Sequence, residues 1–269
     1  MTYLSVAAIY RDEAAYLREW IEFHRLVGVE RFFLYDNFST DDHRAVLAPY
    51  LDSGEVVVHE WPVFPGQVPA YNDAIQRHGP ESRWIAFIDI DEFLFSPTGR
   101  PLPEVLAEYE QWPGVLANWA MYGSSGHATK PEALVTESYV MRSADEDARR
   151  MAKSIVDPSR VERCGGAHFF LYKEGSAVDE HKHPVPYGRT EPASWEKLRV
   201  NHYFTRSLEE ARRKLSRRRP TTGAVRKAAL RRLEESDRAL NAVRDDAIAR
   251  YLPELRRRLN GVAQPESSN

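Results

Sequence analysis

The sequence predicts an α/β protein: an open, mainly parallel sheet flanked by helices, followed by a basic helical tail. Three observations predict it. Apolar runs of strand length alternate with amphipathic stretches as β-α-β-α-β-α-β over about ninety residues, the pattern of right-handed parallel crossovers. The fourth run, Trp84-Ile85-Ala86-Phe87-Ile88, is wholly apolar and stops in Asp89-Ile90-Asp91-Glu92-Phe93, as a strand buried on both faces does where a parallel sheet meets solvent. Charge is uneven: the chain carries −3 overall, yet residues 206–260 hold 17 Lys/Arg against 8 Asp/Glu.

The elements follow in order. Leu4–Tyr10 reads as a strand, and Glu13–Leu26 as a helix with Tyr16, Leu17, Trp20, Ile21 and Phe23 at helical spacing, stopped by Gly28. Arg31–Tyr35 is a second strand, running into the polar loop Asp36-Asn37-Phe38-Ser39-Thr40-Asp41-Asp42, which caps a helix over His43–Leu51. Glu55–Glu60 is a third strand, Gln67–His78 a helix broken by Gly79-Pro80, and Trp84–Asp89 a fourth strand. Leu102–Glu110 reads as a helix and Val115–Met121 as a strand; Leu134–Arg142 fits strand or helix equally. Ala167–Tyr172 and Arg199–Phe204 are late strands, the chain from Ser207 forms basic helices, and Gln264–Asn269 frays. The expected division is a catalytic-type domain over 1–206 and a helical extension over 207–269.

Composition narrows the class. A hydrophobic fraction of 42% and an aromatic fraction of 11% in 269 residues supply a sizeable core. Cys164 is the single cysteine, which excludes an intrachain disulfide. No run approaches the ~20 apolar residues of a membrane span, and Leu4–Ile9 is too short for a signal sequence. A cytoplasmic protein is expected. The basic tail suits a solvated helix surface, or peripheral docking at the inner face of an anionic membrane; nucleic acid is not expected as a partner.

Four constellations carry chemistry. Open α/β sheets bind ligands outside the carboxyl ends of their strands, and acids gathered there are hard ligands for Mn²⁺ or Mg²⁺, which also hold substrate phosphates. Alternation along an extended chain places Asp89 and Asp91 on one face, able to address one cation; the other use of acids at such a point is to cap a helix. Asp36 and Asn37, on the same rim, suit contacts to a base or ribose, or a simple Asx-turn. His202 and His168 are candidate ligands for a transition metal or satisfied core residues, while His181 and His183 belong to a polar, solvent-facing loop. Lys153, with Arg206 and Lys214, suits the growing charge of a diphosphate leaving group. A phosphatase of the haloacid-dehalogenase kind has its acidic motif early and followed by Thr or Val, unlike Glu92-Phe93 here. A P-loop enzyme needs G-x-x-x-x-G-K-[ST], which is missing.

Taken in order, these blocks resemble glycosyltransferase family 92. They are Arg11-Asp12-Glu13 with Glu19-Trp20-Ile21 and His24; Tyr35 through Asp41; Trp84 through Phe93; Asn118-Trp119 with Tyr122 through His127; Lys153 through Val156; His168; and Asn201-His202-Tyr203 with Arg206-Ser207. The resemblance covers roughly Leu4 to Lys214, and Tyr122 and Arg206 stand where the family pattern suggests Phe and Lys. It implies a GT-A fold, a Rossmann-like sheet joined to a mixed sheet. It also implies inverting transfer of a sugar, galactose in characterised relatives, from a UDP-sugar donor to a glycan acceptor with Mn²⁺. Asp36 would then contact the nucleotide, Asp89 and Asp91 the ribose and metal-diphosphate, and His202 the metal. The proton acceptor is not legible; Glu137, His127 and Asp145 are candidates in that order. A nucleotidyltransferase, or a non-catalytic metal- and carbohydrate-binding module, are the rival readings, the first weakened by the absence of glycine in Ala8 through Glu13.

Overall fold

The computed structural model describes residues 1–145, 151–217, 222 and 224–261, so the tail expected to fray, Gln264–Asn269, lies outside the described residues. Strand β1 (Thr2–Tyr10), helix α1 (Ala14–Leu26), β2 (Arg31–Asp36), α2 (His43–Asp52), β3 (Val56–Glu60), α3 (Gln67–His78) and β4 (Ser82–Phe87) follow in the predicted order. The strands β3-β2-β1-β4 pair in parallel, so β1, β2 and β4 end on one rim. Gly28 closes the turn after α1 with φ +105, and a Cβ there would stand 2.6 Å from Pro103 Cδ, so both the conformation and the space demand glycine.

The first departure comes at the acidic motif. β4 stops at Phe87 instead of running to Asp89, and the Glu92 N–H donates to the Asp89 carbonyl at 3.0 Å, turning the chain back into β5 (Glu92–Phe95). The acids therefore sit on a turn, and the extended-chain alternation that would put Asp89 and Asp91 on one face does not apply.

α4 (Leu102–Leu106), β6 (Gly114–Met121), α5 (Val135–Ser138) and β7 (Met141–Arg142) come next, resolving the ambiguous 134–142 stretch as a helical turn followed by a short strand. β8 (Ala152–Val156) is a strand that periodicity missed. It inserts antiparallel to both β4 and β6, joining the parallel half to a mixed half. β9 (Val161–Gly166) and β10 (Phe169–Tyr172) form a separate hairpin, so the late strand expected at 167–172 lies off the central sheet. β11 (Ala177–Val178), β12 (Pro184–Val185) and β13 (Arg199–His202) complete a ten-stranded sheet of order β12-β11-β6-β8-β4-β1-β2-β3, with β13 paired to β5 and β6 off that path. This is the expected Rossmann-like, mixed sheet flanked by helices.

Both faces are covered, which is why β1 and β4 read as apolar runs. On one face Leu4, Val6 and Ala8 pack with Leu17, Trp20 and Ile21 of α1; on the other, Ala7 and Ile9 pack with Ala70, Tyr71 and Ala74 of α3 and with Phe170 of the hairpin. α6 (Leu208–Ser216), α7 (Lys227–Arg231), α8 (Leu233–Leu240), β14 (Val243–Arg244) and α9 (Leu252–Gly261) form the basic tail. Across the boundary expected at 206/207, Leu240, Ile248 and Leu255 join the principal core, and Asp245 pairs with Arg142 and Arg199. No helix among the described residues is long and apolar enough to cross a membrane.

Side chains of α1 reach the backbone of β5, which also pairs with β13. Trp20 Nε1 donates to the Glu92 carbonyl at 2.8 Å, and the Leu94 N–H donates to His24 Nε2 at 3.1 Å while His24 Nδ1 lies 2.8 Å from the Trp20 carbonyl. These partners require a neutral imidazole, with the proton on Nδ1. His24 is fully buried, and that burial pushes its pKa down to about 3. A folded value below the unfolded one means that the unfolded state binds more protons, so stability falls as pH drops below ~6.5. At pH 5 this one group costs about 2 kcal/mol. Denaturant titrations at pH 7 and 5 should show His24→Gln less stable at pH 7 but with its loss between the two pH values smaller by about 2 kcal/mol; equal losses would refute the assignment.

Candidate functional site

The turn after β4 gathers its acids around a buried lysine. Lys153 projects from β8, the neighbour of β4, and is 1% exposed. Its ammonium lies 2.9 Å from Asp89 Oδ2 and 3.2 Å from Glu92 Oε2. The same Glu92 oxygen accepts the Asp89 N–H at 2.9 Å, so the glutamate ties the turn to itself. Asp89 Oδ1 accepts from Gln67 Nε2 at 3.0 Å and Tyr71 OH at 3.3 Å, both on the first turns of α3. Burial alone would lower the Lys153 pKa, but Asp89 and Glu92 hold it well above the ordinary lysine value. Glu92 is fully buried, and that burial pushes it up to about 8 against the pull of Lys153. A buried ion needs such partners, because desolvation costs more than a single imperfect contact returns.

Asp91 faces a different set. His202 Nε2, at the end of β13, stands 3.3 Å from Asp91 Oδ2, and the Lys214 ammonium from α6 meets the same oxygen. Burial would raise the Asp91 pKa; Lys214 and His202 hold it well below the usual carboxylate range. His202 is packed between Trp119 and Phe204, with ring centroids 4.4 and 5.7 Å away. Its Nδ1 is buried without a hydrogen-bond partner, as is Glu92 Oε1, 3.8 Å distant.

The family resemblance implies a divalent cation, and the donor set fits one. A carboxylate oxygen and an imidazole nitrogen side by side suit Mn²⁺, with the second imidazole nitrogen turned toward a carboxylate as in many metal-bound histidines. Among the described residues no group of three or more His, Cys, Asp or Glu forms a closed metal cage. Two protein ligands suffice where substrate phosphates and water complete the shell, as is usual for Mg²⁺.

Beside Asp91 opens a cleft walled by Asp12, Tyr16, Arg206, Arg213, Lys214 and Arg217. The Arg206 guanidinium lies 3.6 Å over the Tyr16 ring and pairs with Glu13 at 2.8 Å; Arg217 pairs with Asp12 at 3.1 Å. Three non-glycine residues on loops after β1, β2 and β13 adopt left-handed backbone: Asp12 (φ 54), Phe38 (φ 66) and Arg206 (φ 50). Strain of this kind persists only where surrounding contacts impose it, and it concentrates at functional sites. Here Asp12 is fixed by Ser39 Oγ, which accepts its N–H at 3.0 Å, and by the Thr40 N–H, which donates to its carboxylate at 2.8 Å.

The structure brings together Asp89, Asp91, Lys153 and His202 from the predicted set. Asp36 lies on the same rim, where its carboxylate accepts the Ser39 N–H at 2.9 Å and faces His43 Nε2 at 3.4 Å. Asn37 is buried and spends its amide N–H groups on the Trp61 and Val63 carbonyls, so it braces a neighbouring loop. Of the candidate bases, Glu137 is engaged by Arg256 and Asp145 by Arg142, while His127 Nε2 lies 3.2 Å from the Ser138 carbonyl. His168 packs edge-on against Trp119 and bonds the Ala152 carbonyl; burial pushes its pKa down to about 4. His181 and His183 face solvent beside Asp179 and Glu180. Sequence reasoning missed Gln67, Tyr71 and Tyr16. The first two sit four apart on α3, the only signal available being that spacing at a helix start that faces the rim.

A family model described as Glycosyltransferase family 92 matches residues 2–236. A glycosyltransferase family 92 protein of Oryza sativa subsp. japonica is 36% identical over 179 residues, 64% of this chain and 30% of that protein. Galactan beta-1,4-galactosyltransferase GALS2 of Arabidopsis thaliana is 27% identical over 203 residues, 70% of this chain and 36% of its own. The chain thus spans about a third of the length of these curated relatives. Among solved structures, S. aureus TarS 1–349 in complex with UDP matches with a TM-score of 0.41 and 16% identity, over 59% of this chain and 47% of that one.

Lys153 is the cation on which the acidic turn rests. Lys153→Met takes away the ammonium that Asp89 and Glu92 share and should cost about 3–5 kcal/mol in denaturant unfolding. In Lys153→Met/Glu92→Gln the combined loss should be smaller than the sum of the two single losses, because the two side chains are in direct contact. Additive losses in the double-mutant cycle would show that the two groups do not interact.

Proposed function

This chain belongs to glycosyltransferase family 92, and from that premise we propose that it transfers a sugar from a nucleotide-sugar donor, a UDP-sugar, to a hydroxyl of a glycan acceptor with inversion at the anomeric carbon. The observation that carries the reading is the pairing of a buried Asp91–His202 donor set with a cleft walled by four cations, Arg206, Arg213, Lys214 and Arg217. Galactose is the sugar we infer, from the names of the galactan galactosyltransferase relatives.

Asp91 and His202 would hold the divalent ion, Mn²⁺ or Mg²⁺, which supplies Lewis-acid neutralisation of a diphosphate. The chain's own residues do the rest. Asp89, clamped by Gln67, Tyr71 and Lys153, is a pre-oriented acceptor for a ribose or sugar hydroxyl. Asp36 meets the nucleoside at the end of β2. Arg206 and Lys214 neutralise the negative charge that collects on the departing diphosphate. The acceptor oxygen forms its bond to the anomeric carbon as the bond from that carbon to the diphosphate oxygen breaks. The hydroxyl proton passes to a base on the opposite face of the sugar; Glu137, His127 and Asp145 belong to that half of the chain.

The test is transfer, or donor hydrolysis, by purified protein with Mn²⁺ and a panel of UDP-sugars. Asp91→Asn should lower kcat/KM by about 10²-fold or more, the size of a lost electrostatic contact to the transition state, and EDTA should abolish turnover until Mn²⁺ is restored. Full activity of Asp91→Asn would sink the assignment.

A further inference from the structure

We propose that Lys214 is the counter-ion that Asp91 holds until a divalent cation arrives, and that its displacement delivers the same ammonium to the diphosphate that accompanies the metal. The inference rests on the donor-site reading above and adds to it a coupling between the two ligands.

Asp91 is 7% exposed, and a carboxylate so buried needs a positive partner. His202 meets it at 3.3 Å, and the ammonium of Lys214 is the lysine charge in direct contact with it. Both contacts fall on one oxygen, Oδ2. A metal ion bound by Asp91 and His202 must occupy the space between that oxygen and Nε2, and an ammonium on the same oxygen would then face a dication at contact distance. The two cations exclude each other.

The rest of Lys214 suits a group that leaves. Its side chain is 36% exposed, its ammonium lies 4.7 Å from the centre of the Phe204 ring, and its other bond is a long one of 3.4 Å to the Phe204 carbonyl. It is carried by α6, whose Ala211 and Leu215 pack with Leu233 in a small cluster apart from the principal core. Its own wall of the cleft holds Arg206, Arg213 and Arg217, and Arg206 and Arg217 are already committed to Glu13 and Asp12. A lysine released from Asp91 stays in that cleft as a flexible point charge, the form in which lysine binds phosphates.

The consequence is a coupling that works in both directions. Metal alone binds against the lysine, whereas metal with a nucleoside diphosphate gives the lysine a new partner, so each ligand tightens the other by one common factor. Mn²⁺ binding to the metal-free full chain, followed by the electron paramagnetic resonance of free Mn²⁺, should be at least ten-fold tighter for Lys214→Met than for wild type, with Lys214→Arg remaining near wild type. Calorimetry with UDP should show the mutual enhancement of UDP and Mn²⁺ shrinking in Lys214→Met. An Mn²⁺ affinity in Lys214→Met equal to the wild-type value, or binding by neither, overturns the proposal; Lys214→Gln serves the same comparison should the methionine variant fail to fold. A ten-fold gain in Mn²⁺ affinity in a protein that turns over no UDP-sugar would uphold the counter-ion and remove the donor reading instead.

Discussion

One buried ammonium organises the centre of this protein. Lys153 can satisfy Asp89 and Glu92 together only because β8 lies antiparallel beside β4, and the turn that carries the acids holds its shape only because Glu92 bonds both that ammonium and the Asp89 N–H. From that turn the chain doubles back as β5, which pairs with β13 and so places His202 against Asp91. Removing Lys153 would take away the cation that Asp89 and Glu92 share, a cost of several kcal/mol in a fold whose whole margin is typically about 5–15 kcal/mol. The site and the sheet are therefore one construction.

Charge asymmetry, which in sequence suited a solvated helix surface or an external partner for the basic tail, also has an internal explanation. Arg206 pairs with Glu13, Arg217 with Asp12, Lys214 with Asp91 and Arg256 with Glu137, each joining the cationic segment to an acid of the body. Contacts of this sort are individually weak where exposed. Collectively they fix which surface the tail meets, and the apolar contribution of Leu240, Ile248 and Leu255 to the principal core supplies the stability. The tail thus becomes a wall of the cleft.

The parallel half was legible because its strands are buried on both faces and announce themselves as apolar runs, with helices of clear period between them. β8 was not, since Ala152-Lys153-Ser154-Ile155-Val156 carries a lysine in the middle of a fully buried strand, and only the acids of a distant turn make that residue acceptable there. β5 was hidden for another reason, its few apolar residues following directly on the acids at which the fourth strand was read to end. Asp89, Asp91, Lys153 and His202 could be named from residue type and order, yet their division into two sets depended on the turn. Glu19, Trp20 and His24 looked like part of a functional block; in the structure Glu19 accepts the N–H groups of Val135 and Thr136, and the other two hold β5. They serve the site by building what stands behind it.

The order of strands along the chain has a consequence for synthesis. β8 is made well after β4 and β6, yet it is the strip that unites them. A ribosome that has reached residue 150 has produced the parallel half and every acid of the turn, but not the lysine that makes their burial tolerable. The nascent chain can form its first four strands and helices locally, whereas the acidic turn must stay hydrated until the missing strand threads into place. Burial of the acidic turn is therefore a late event, and a product truncated before Lys153 would carry Asp89 and Glu92 without the cation that they share.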